Sequence, residues 1–195
     1  MKIVIINYGA GNIQSIKFAI QRLGYEAVLS DDPEEIKAAD KVIFPGVGEA
    51  SSAMKKLRAS GLDALVPQLK QPVLGICLGM QLMCNYTEEG DTKGLGIFDT
   101  NVIKFNSGVK VPQIGWNQIE SLDSSLFKDI SEKEYIYLVH SYYAPLTNET
   151  IARSNYGVAY STALRKDNFY GTQFHPEKSS VAGEQILRNF LEMGN

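Results

Sequence analysis

Short apolar runs alternate with helical patterns through the first half of this 195-residue chain. The run Lys2–Asn7 is apolar at nearly every position, which is typical of a strand buried on both faces. Repeated strand–helix units predict a parallel sheet with helices on both of its faces. The other strands predicted in this half are Ala27–Leu29, Val42–Phe44 and Pro72–Ile76, and the predicted helices are Ile13–Leu23, Pro33–Ala39, Ala50–Ala59, Leu62–Leu69 and Leu78–Tyr86.

The pattern changes after Gly90, where short β-branched and aromatic runs separated by turn residues favour strands. A last amphipathic helix is expected over Val181–Leu191. We expect the later strands to extend the first sheet into a mixed, mostly parallel one. With no repeat or long linker, residues 1–195 are interpreted as a single α/β domain. The later predicted strands are Thr100–Phe105, Gln113–Ile119, Tyr135–Val139, Ile151–Ser154, Val158–Leu164 and Phe169–Phe174.

Composition argues against several classes of partner. The net charge of −3 lacks the basic excess of a nucleic-acid-binding protein. No apolar run approaches the ~20 residues that span a bilayer, and the N-terminal run is too short for a signal peptide. We therefore expect a cytoplasmic protein that binds neither nucleic acid nor membrane.

The chain has two cysteines, Cys77 and Cys84, and two histidines. Their spacing fits no common zinc motif, so no metal site is expected. Two cysteines are also too few for a disulfide framework. If both lay on one helix, their Cα atoms would be about 10 Å apart, too far for a disulfide.

The segment Gly75-Ile76-Cys77-Leu78-Gly79 has the spacing of a nucleophile elbow, with cysteine at the position of the nucleophile. A tight strand-to-helix turn strains the backbone of its central residue, and flanking glycines relieve the crowding. The following helix N-terminus favours a thiolate there. The backbone N–H of Leu78 could stabilise an oxyanion. The alternative is a buried structural cysteine, which is our interpretation of Cys84.

A cysteine hydrolase needs a base, and His175 lies just after a predicted strand in His175-Pro176-Glu177. Proline favours an extended conformation for the residue before it, and side chains two apart on an extended segment point the same way. Glu177 could then orient the imidazole toward the thiol. Taken alone, the segment fits a surface histidine and a solvated glutamate beside a proline turn better than it fits a catalytic pair. His140 is the other candidate base, but no carboxylate follows it closely, so we interpret it as a pocket residue.

Two glycine-rich turns follow predicted strands. Pro45-Gly46-Val47-Gly48 should lie at the same sheet edge as Cys77, where an N–H from the loop could complete an oxyanion hole. An ordinary turn is the alternative. Gly9-Ala10-Gly11 suggests a dinucleotide motif, but glutamine occupies position 14 in place of the third glycine. We therefore expect no nicotinamide or flavin cofactor.

Together these motifs resemble the class I (triad) glutamine amidotransferases, whose fold is flavodoxin-like. The similarity covers essentially the whole chain, and within the superfamily it is greatest to the glutaminase subunits of histidine biosynthesis. The segments that carry it are Asn7–Asn12, Pro45–Gly48, Gly75–Gln81, Gly115–Asn117, Tyr137–Tyr142 and Phe174–Ser179.

The resemblance implies hydrolysis of glutamine through a thioester on Cys77. In that reaction His175 would transfer the proton, and Glu177 would orient the imidazole of His175. The resemblance also implies an oxyanion hole formed by Leu78 and the Val47–Gly48 loop. Ammonia would pass to a (β/α)8-barrel cyclase subunit in a heterodimer. The implied substrate-binding residues are Gln81, Glu89, His140, Ser141 and Tyr142, and the implied interface residues are Asn12, Trp116, Asn117, Tyr137 and Lys178.

One position departs from the family pattern. The family often has histidine two residues before the glycine of Gly115-Trp116-Asn117, where this chain has Gln113. That removes a titratable group and keeps hydrogen-bonding ability.

Other hypotheses remain at this stage. The chain could serve a different synthase, such as the pyridoxal phosphate or anthranilate systems. It could be a non-catalytic flavodoxin-like module with a structural or redox-sensing thiol, which would leave His175, Glu177 and Glu89 unexplained. A peptidase is disfavoured because no feature suggests a peptide groove.

Overall fold

The computed structural model describes residues 1–9, 12–106 and 108–194. Ala10 and Gly11 of the predicted Gly9–Asn12 turn lie outside these ranges. The α-helices are α1 (Ile13–Arg22), α2 (Pro33–Lys37), α3 (Ala50–Ala59), α4 (Leu62–Leu65), α5 (Leu78–Met83) and α6 (Ser180–Glu192), and short 3-10 helices lie at Val66–Gln68, Ser125–Phe127 and Pro176–Lys178. The strands are β1 (Ile3–Ile6), β2 (Ala27–Ser30), β3 (Lys41–Phe44), β4 (Val73–Ile76), β5 (Cys84–Thr87), β6 (Thr92–Lys93), β7 (Phe98–Lys104), β8 (Gln113–Gln118), β9 (Tyr135–His140), β10 (Tyr142–Tyr143), β11 (Thr150–Asn155), β12 (Ala159–Lys166) and β13 (Phe169–Thr172).

A seven-stranded sheet forms the centre of the fold, in the order β11-β12-β13-β4-β3-β1-β2. Its five strands from β13 to β2 are parallel, and β12 and β11 continue it antiparallel. This is the mixed, mostly parallel sheet that the sequence predicts. Strands β3, β4 and β13 lie side by side, so the segments that follow them meet at one edge of the sheet.

Helices cover both faces of this sheet, as predicted. Along β1, Ile3 and Ile5 pack in one core cluster with α1 and α6, whereas Val4 and Ile6 pack in a second cluster with α3 and α5. The separation follows from the two-residue period of a strand. All four residues of β1 are buried, which explains its uninterrupted apolar sequence.

The expectation that the later strands all extend this sheet is wrong. Strands β10, β7, β5 and β6 form a separate four-stranded sheet, and β8 pairs only with β9 among the described strands. The physical reason is visible in β7 and β9, where buried and more exposed residues alternate. A strand with one solvated face does not suit a sheet that helices cover on both sides.

Two predicted helices end earlier than expected. The helix predicted over Leu78–Tyr86 ends at Met83, and Cys84 begins β5. All six residues of α5 are buried, so apolar periodicity could not separate helix from strand at its end. The helix predicted over Leu62–Leu69 is helical to Leu65 and then becomes a 3-10 turn. Both cysteines are free and buried.

Among the described helices, none combines the length and apolar character needed to cross a bilayer.

Candidate active site

Cys77 occupies the tight turn between β4 and α5. Its backbone has φ 54° and ψ −111°, a sparsely populated region for a residue with a Cβ atom. The turn is held by a 2.7 Å hydrogen bond from the Cys77 N–H to the carbonyl of Thr172 in neighbouring β13. The strained backbone of Cys77 is therefore a consequence of the abrupt change from β4 to α5. It places the side chain in a cleft at the edge of the sheet.

Glycines around the elbow allow backbones to approach closely. A Cβ atom on Gly79 would clash with the carbonyl of Phe44, and one on Gly46 would clash with the backbone of Leu78 and Gly79. A Cβ on Gly75 would meet the Met83 side chain. The loop after β3 therefore lies directly against the first turn of α5. Its Val47 and Gly48 line the cleft together with Leu78, as the sequence predicts.

His175 and Glu177 form a buried pair beside Cys77. Nδ1 of His175 donates to Oε1 of Glu177 at 2.8 Å, and the side chains are 5% and 1% exposed. The predicted contact forms, but not along an extended segment. His175 itself is extended, whereas Pro176–Lys178 is a 3-10 turn that brings Glu177 back under the ring.

The backbone of His175 is fixed on both sides. Its N–H donates to the carbonyl of Tyr137 in β9 at 3.0 Å. Its carbonyl accepts from the Ser179 hydroxyl at 2.7 Å and from the Lys178 N–H at 3.0 Å. With Nδ1 bound to Glu177, the Nε2 atom is the one left for the thiol.

Two opposing effects set the pKa of His175. Burial lowers it, but hydrogen bonding to Cys77 and Glu177 and the negative charge of these groups raise it overall to about 10. The ring is therefore stabilised as an imidazolium when it faces a thiolate. That arrangement suits a histidine that accepts the proton of a nucleophilic cysteine.

His140 has the opposite character. Burial lowers the pKa of this ring to about 4, so it is neutral at physiological pH. Its Nδ1–H donates to the carbonyl of Tyr142 at 2.8 Å, and its Nε2 lies 3.4 Å from the Tyr160 hydroxyl. The single O–H of Tyr160 donates to Oε1 of buried Gln113 at 3.0 Å. His140 is therefore a neutral residue that lines the cleft, and Gln113 accepts a hydrogen bond from the tyrosine behind it.

A cleft of about 350 Å³ opens over Cys77. Its lining contains the predicted catalytic cysteine and histidine, and all of the residues predicted for the oxyanion hole and for substrate binding. Lys178, which the sequence assigns to the interface, also lines it, and Pro112 and Val139 are lining residues that the sequence analysis missed. The predicted residues in the lining are Val47, Gly48, Cys77, Leu78, Gln81, Glu89, His140, Ser141, Tyr142, His175 and Lys178.

Gln81 and Glu89 contribute polar groups to the lining of the cleft. Gln81 is buried, and its Nε2 donates to the carbonyl of Tyr142 at 2.9 Å and to Oε1 of Gln173 at 2.7 Å. Glu89 is half-buried and accepts from the N–H of Ala50 at 3.0 Å. Burial and, to a smaller extent, the charge of Glu49 raise the pKa of Glu89, although the Ala50 hydrogen bond opposes them.

Two further residues of the site were missed from the sequence. Gln173 is fully buried, with its Nε2 3.7 Å from Sγ of Cys77. Its position two residues before His175 could have indicated it, since alternate residues of an extended segment face the same side. Tyr8 is also buried, and its hydroxyl donates to the carbonyl of Pro45 at 2.8 Å, which fixes the glycine loop.

The predicted interface residues lie in two places next to the cleft. Trp116 and Tyr137 are cross-strand neighbours in the β8–β9 ribbon, with ring centroids 5.8 Å apart. Trp116 is 52% exposed and Lys178 is also exposed, whereas Asn117 turns inward and donates to the carbonyl of Asn155. Asn12 occupies the N-cap position of α1 without a side-chain capping hydrogen bond, and α1 packs against the 3-10 turn after His175.

No cluster of three or more metal-binding side chains is found within residues 1–9, 12–106 and 108–194.

Comparison with known proteins gives a consistent result. The family model "Glutamine amidotransferase class-I" matches residues 4–193. The subunit HisH of imidazole glycerol phosphate synthase from Bacteroides fragilis strain YCH46 is 56% identical, with 99% of this chain and 100% of that protein covered. The HisH subunit from Pectobacterium atrosepticum is 50% identical with the same coverage.

Solved structures agree on the fold. A crystal structure of a glutamine amidotransferase superposes with a TM-score of 0.76 at 20% identity, covering 97% of each chain. A glutamine amidotransferase from Thermotoga maritima gives a TM-score of 0.63 at 17% identity, over 98% of this chain and 83% of that one. The chain therefore belongs to the class-I glutamine amidotransferase family and, within it, to the HisH subunits of imidazole glycerol phosphate synthase.

Proposed function

We propose that residues 1–195 form one glutamine amidotransferase domain that acts as the glutaminase subunit of imidazole glycerol phosphate synthase. In this role it hydrolyses glutamine and supplies the ammonia to a (β/α)8-barrel cyclase subunit, in a cytoplasmic heterodimer of histidine biosynthesis. The observation that carries the proposal is the single cleft in which Cys77, His175, Gln81 and Glu89 meet.

The proposed reaction begins at the thiol. His175 accepts the proton of Cys77 through Nε2, and Sγ attacks the side-chain carbonyl of glutamine. Glu177, 2.8 Å from Nδ1, fixes the tautomer and stabilises the imidazolium. The imidazolium then donates its proton to the leaving nitrogen, which departs as ammonia. Water attacks the resulting thioester, with His175 again as base, and releases glutamate.

The oxyanion that forms in both steps is proposed to accept hydrogen bonds from the N–H of Leu78 and from one N–H of the Val47–Gly48 loop. Leu78 opens α5, where the helix dipole also favours negative charge. The contact between Gly46 and Gly79 supports the loop's part, because it fixes the loop against that helix end.

Substrate binding is assigned to Glu89, to Gln81 and to the backbone of His140–Tyr142. Glu89 suits the α-ammonium group of glutamine because its carboxylate is half-buried near a second carboxylate, Glu49. Both N–H groups of Gln81 are used within the protein, so its Oε1 is the atom available to the ligand. The backbone of His140–Tyr142 completes the proposed pocket.

The partner is proposed to dock on the outer face of β8–β9. Ile114, Trp116 and Tyr135 point outward there and are 63%, 52% and 52% exposed. The family resemblance also assigns Asn12, Asn117, Tyr137 and Lys178 to the interface, and of these Tyr137 lies on the outer face beside Trp116. The opposite face of the ribbon, with Ile136 and Leu138, is buried in the core. An exposed apolar face beside the cleft suits an obligatory subunit contact.

A glutaminase assay tests the proposal. We expect slow glutamate release by the isolated chain, stimulated by addition of an imidazole glycerol phosphate synthase cyclase subunit and its nucleotide ligand. Cys77→Ala should abolish release, and Cys84→Ala, a change at a buried thiol away from the cleft, should preserve it. Undiminished release by the Cys77 variant would refute the mechanism. Stimulation only by a partner from another pathway would refute the pathway.

A further inference from the structure

Gln173 is a buried side chain that touches the thiol but belongs to no part of the reaction described above. It is 0% exposed, and its Nε2 lies 3.7 Å from Sγ of Cys77. Its backbone N–H donates to the carbonyl of Thr162 in β12 at 2.8 Å. The side chain is therefore anchored by the central sheet and directed at the sulfur from the side of β13.

The orientation of this amide is fixed by a chain of contacts that starts at a backbone carbonyl. The carbonyl of Tyr142 can only accept, so the atom of Gln81 that lies 2.9 Å from it must be the NH₂ group. The same NH₂ group lies 2.7 Å from one terminal atom of Gln173, which must then be its oxygen. The remaining atom, the Gln173 NH₂ group, is the one that faces Cys77.

The thiol has a second polar neighbour of opposite character. The carbonyl of Val139 lies 3.8 Å from Sγ and can accept a hydrogen bond from the thiol S–H. A carbonyl oxygen cannot donate a hydrogen bond to a thiolate. The N–H of Gln173 is a donor, and a donor interacts more strongly with a charged acceptor than with a neutral one. Gln173 therefore favours the ionised form of the sulfur, whereas Val139 favours the protonated form.

We propose that Gln173 is a positioning residue of the proposed glutaminase: its side-chain N–H stabilises and orients the Cys77 thiolate, and Gln81 holds it in place. The inference rests on the proposed function for its role in turnover, but the contact with the thiol can be tested separately. It also connects a substrate-binding side chain to the nucleophile. Gln81 sets the direction of the Gln173 amide, which in turn faces the sulfur.

The test is the pH profile of Cys77 alkylation by iodoacetamide, followed by mass spectrometry of the Cys77 peptide. Gln173→Glu keeps an oxygen for the Gln81 N–H but puts a carboxylate against the sulfur. We expect half-maximal alkylation to move upward by about one pH unit or more. Gln173→Met removes both hydrogen bonds without adding charge, and we expect a smaller upward shift.

Comparing the size of the pH shift in the two variants shows whether Gln173 positions the thiolate or only holds the side chain of Gln81. A purely supporting role predicts that Gln173→Glu behaves as the parent protein and that Gln173→Met is the more affected. Either that order or a profile unchanged in both folded variants would overturn the proposal. Gln68→Glu is the matched charge control and should leave the profile unchanged, because Gln68 is exposed in the 3-10 turn Val66–Gln68 and its side chain donates to the Ala64 carbonyl in α4.

Glutamine turnover provides a second readout. In Gln173→Glu we expect kcat to fall roughly ten-fold while KM stays within about two-fold, because Gln81 keeps its partner. Circular dichroism establishes that each variant is folded. If Gln173→Glu does not fold, the alkylation profile of Gln173→Met is the test. An unshifted profile in that variant would overturn the proposal. Failure of the parent protein to hydrolyse glutamine would defeat the proposed function, whereas the alkylation profiles would still report on Gln173.

Discussion

Glu177 and His175 are hydrogen-bonded across one 3-10 turn, with Oε1 2.8 Å from Nδ1 and both side chains buried. The other carboxylate oxygen of Glu177, Oε2, is buried with no hydrogen-bond partner among the described residues. Leaving such an atom unpaired is costly, so the carboxylate depends on the charge of the imidazolium for its stability. The pair is therefore most favourable in the state in which His175 has accepted a proton.

Glu177→Gln should separate charge from shape at this pair. The amide oxygen can still accept from Nδ1, but it provides no negative charge to stabilise the imidazolium. We expect kcat/KM for glutamine hydrolysis to fall roughly 100-fold, with the fold retained. Steady-state kinetics and thermal unfolding measure the two effects. Activity equal to that of the parent protein would show that the carboxylate charge has no part in the reaction.

Gly79→Ala should displace the loop after β3. The added methyl group would meet the carbonyl of Phe44, a backbone atom that can move only with its strand. We expect a loss of about 1–3 kcal/mol in the free energy of unfolding and a marked loss of glutaminase activity. Denaturant titration and the activity assay check this. Gly194→Ala is the control and should change neither quantity, because among the described residues beyond its chain neighbours no atom lies within 4 Å of a Cβ atom placed there.

The sequence predicted the tight strand-to-helix turn at Cys77 because its signals are local. Cys77 adopts a strained conformation between two glycines, and both glycines prove to be sites of close backbone approach. The central sheet was predictable for a similar reason, since strands such as β1 are apolar throughout. The alternation in β7 is consistent with one solvated face, but it does not determine which other strand β7 pairs with, so the pairing of β7 and of β8 was not predictable.

Gln173 shows what local reasoning leaves out. The contact of its NH₂ group with Cys77 depends on Gln81, 92 positions away in the chain, and on the carbonyl of Tyr142. The 3-10 turn at Pro176–Lys178 is a similar case. The sequence indicated that Glu177 would reach His175, but the contact is made by a turn, and not along an extended segment.

His140 should make the stability of the protein depend on pH on the acid side. Burial lowers its pKa in the folded protein to about 4 from the ordinary 6.5. The unfolded chain therefore binds a proton at higher pH than the folded one does. Stability from this residue is complete above pH 6.5 and is lost as the pH falls toward 4, by up to roughly 3 kcal/mol.

His140→Asn isolates this contribution, since its amide can still donate to the Tyr142 carbonyl and does not titrate. Thermal or denaturant unfolding of both proteins between pH 4 and 7 measures it. We expect the variant to be less stable than the parent at pH 7 and the difference to shrink as the pH falls. A difference that stays constant across this range would contradict a buried neutral imidazole at this position.

Trp116→Ala should weaken binding of the proposed cyclase partner. Trp116 is 52% exposed, packs edge-on against Tyr137, and lies on the outward face of the β8–β9 ribbon. Large aromatic residues at the centre of an interface account for much of its affinity, so we expect Kd to rise roughly ten-fold, about 1.4 kcal/mol.

Isothermal titration calorimetry with the purified cyclase subunit measures the effect of Trp116→Ala. Val28→Ala is the matched control. Val28 is also exposed, at 44%, but it belongs to β2 at one edge of the central sheet. The segment just after β8 adjoins β11 at the opposite edge through the bridge between Glu120 and Arg153. If the two variants weaken binding equally, or if only Val28→Ala does, the partner does not dock on the β8–β9 ribbon. If only Trp116→Ala weakens binding, the partner docks on the outer face of the β8–β9 ribbon. This ribbon also contacts the catalytic histidine, because the carbonyl of Tyr137 in β9 accepts the N–H of His175.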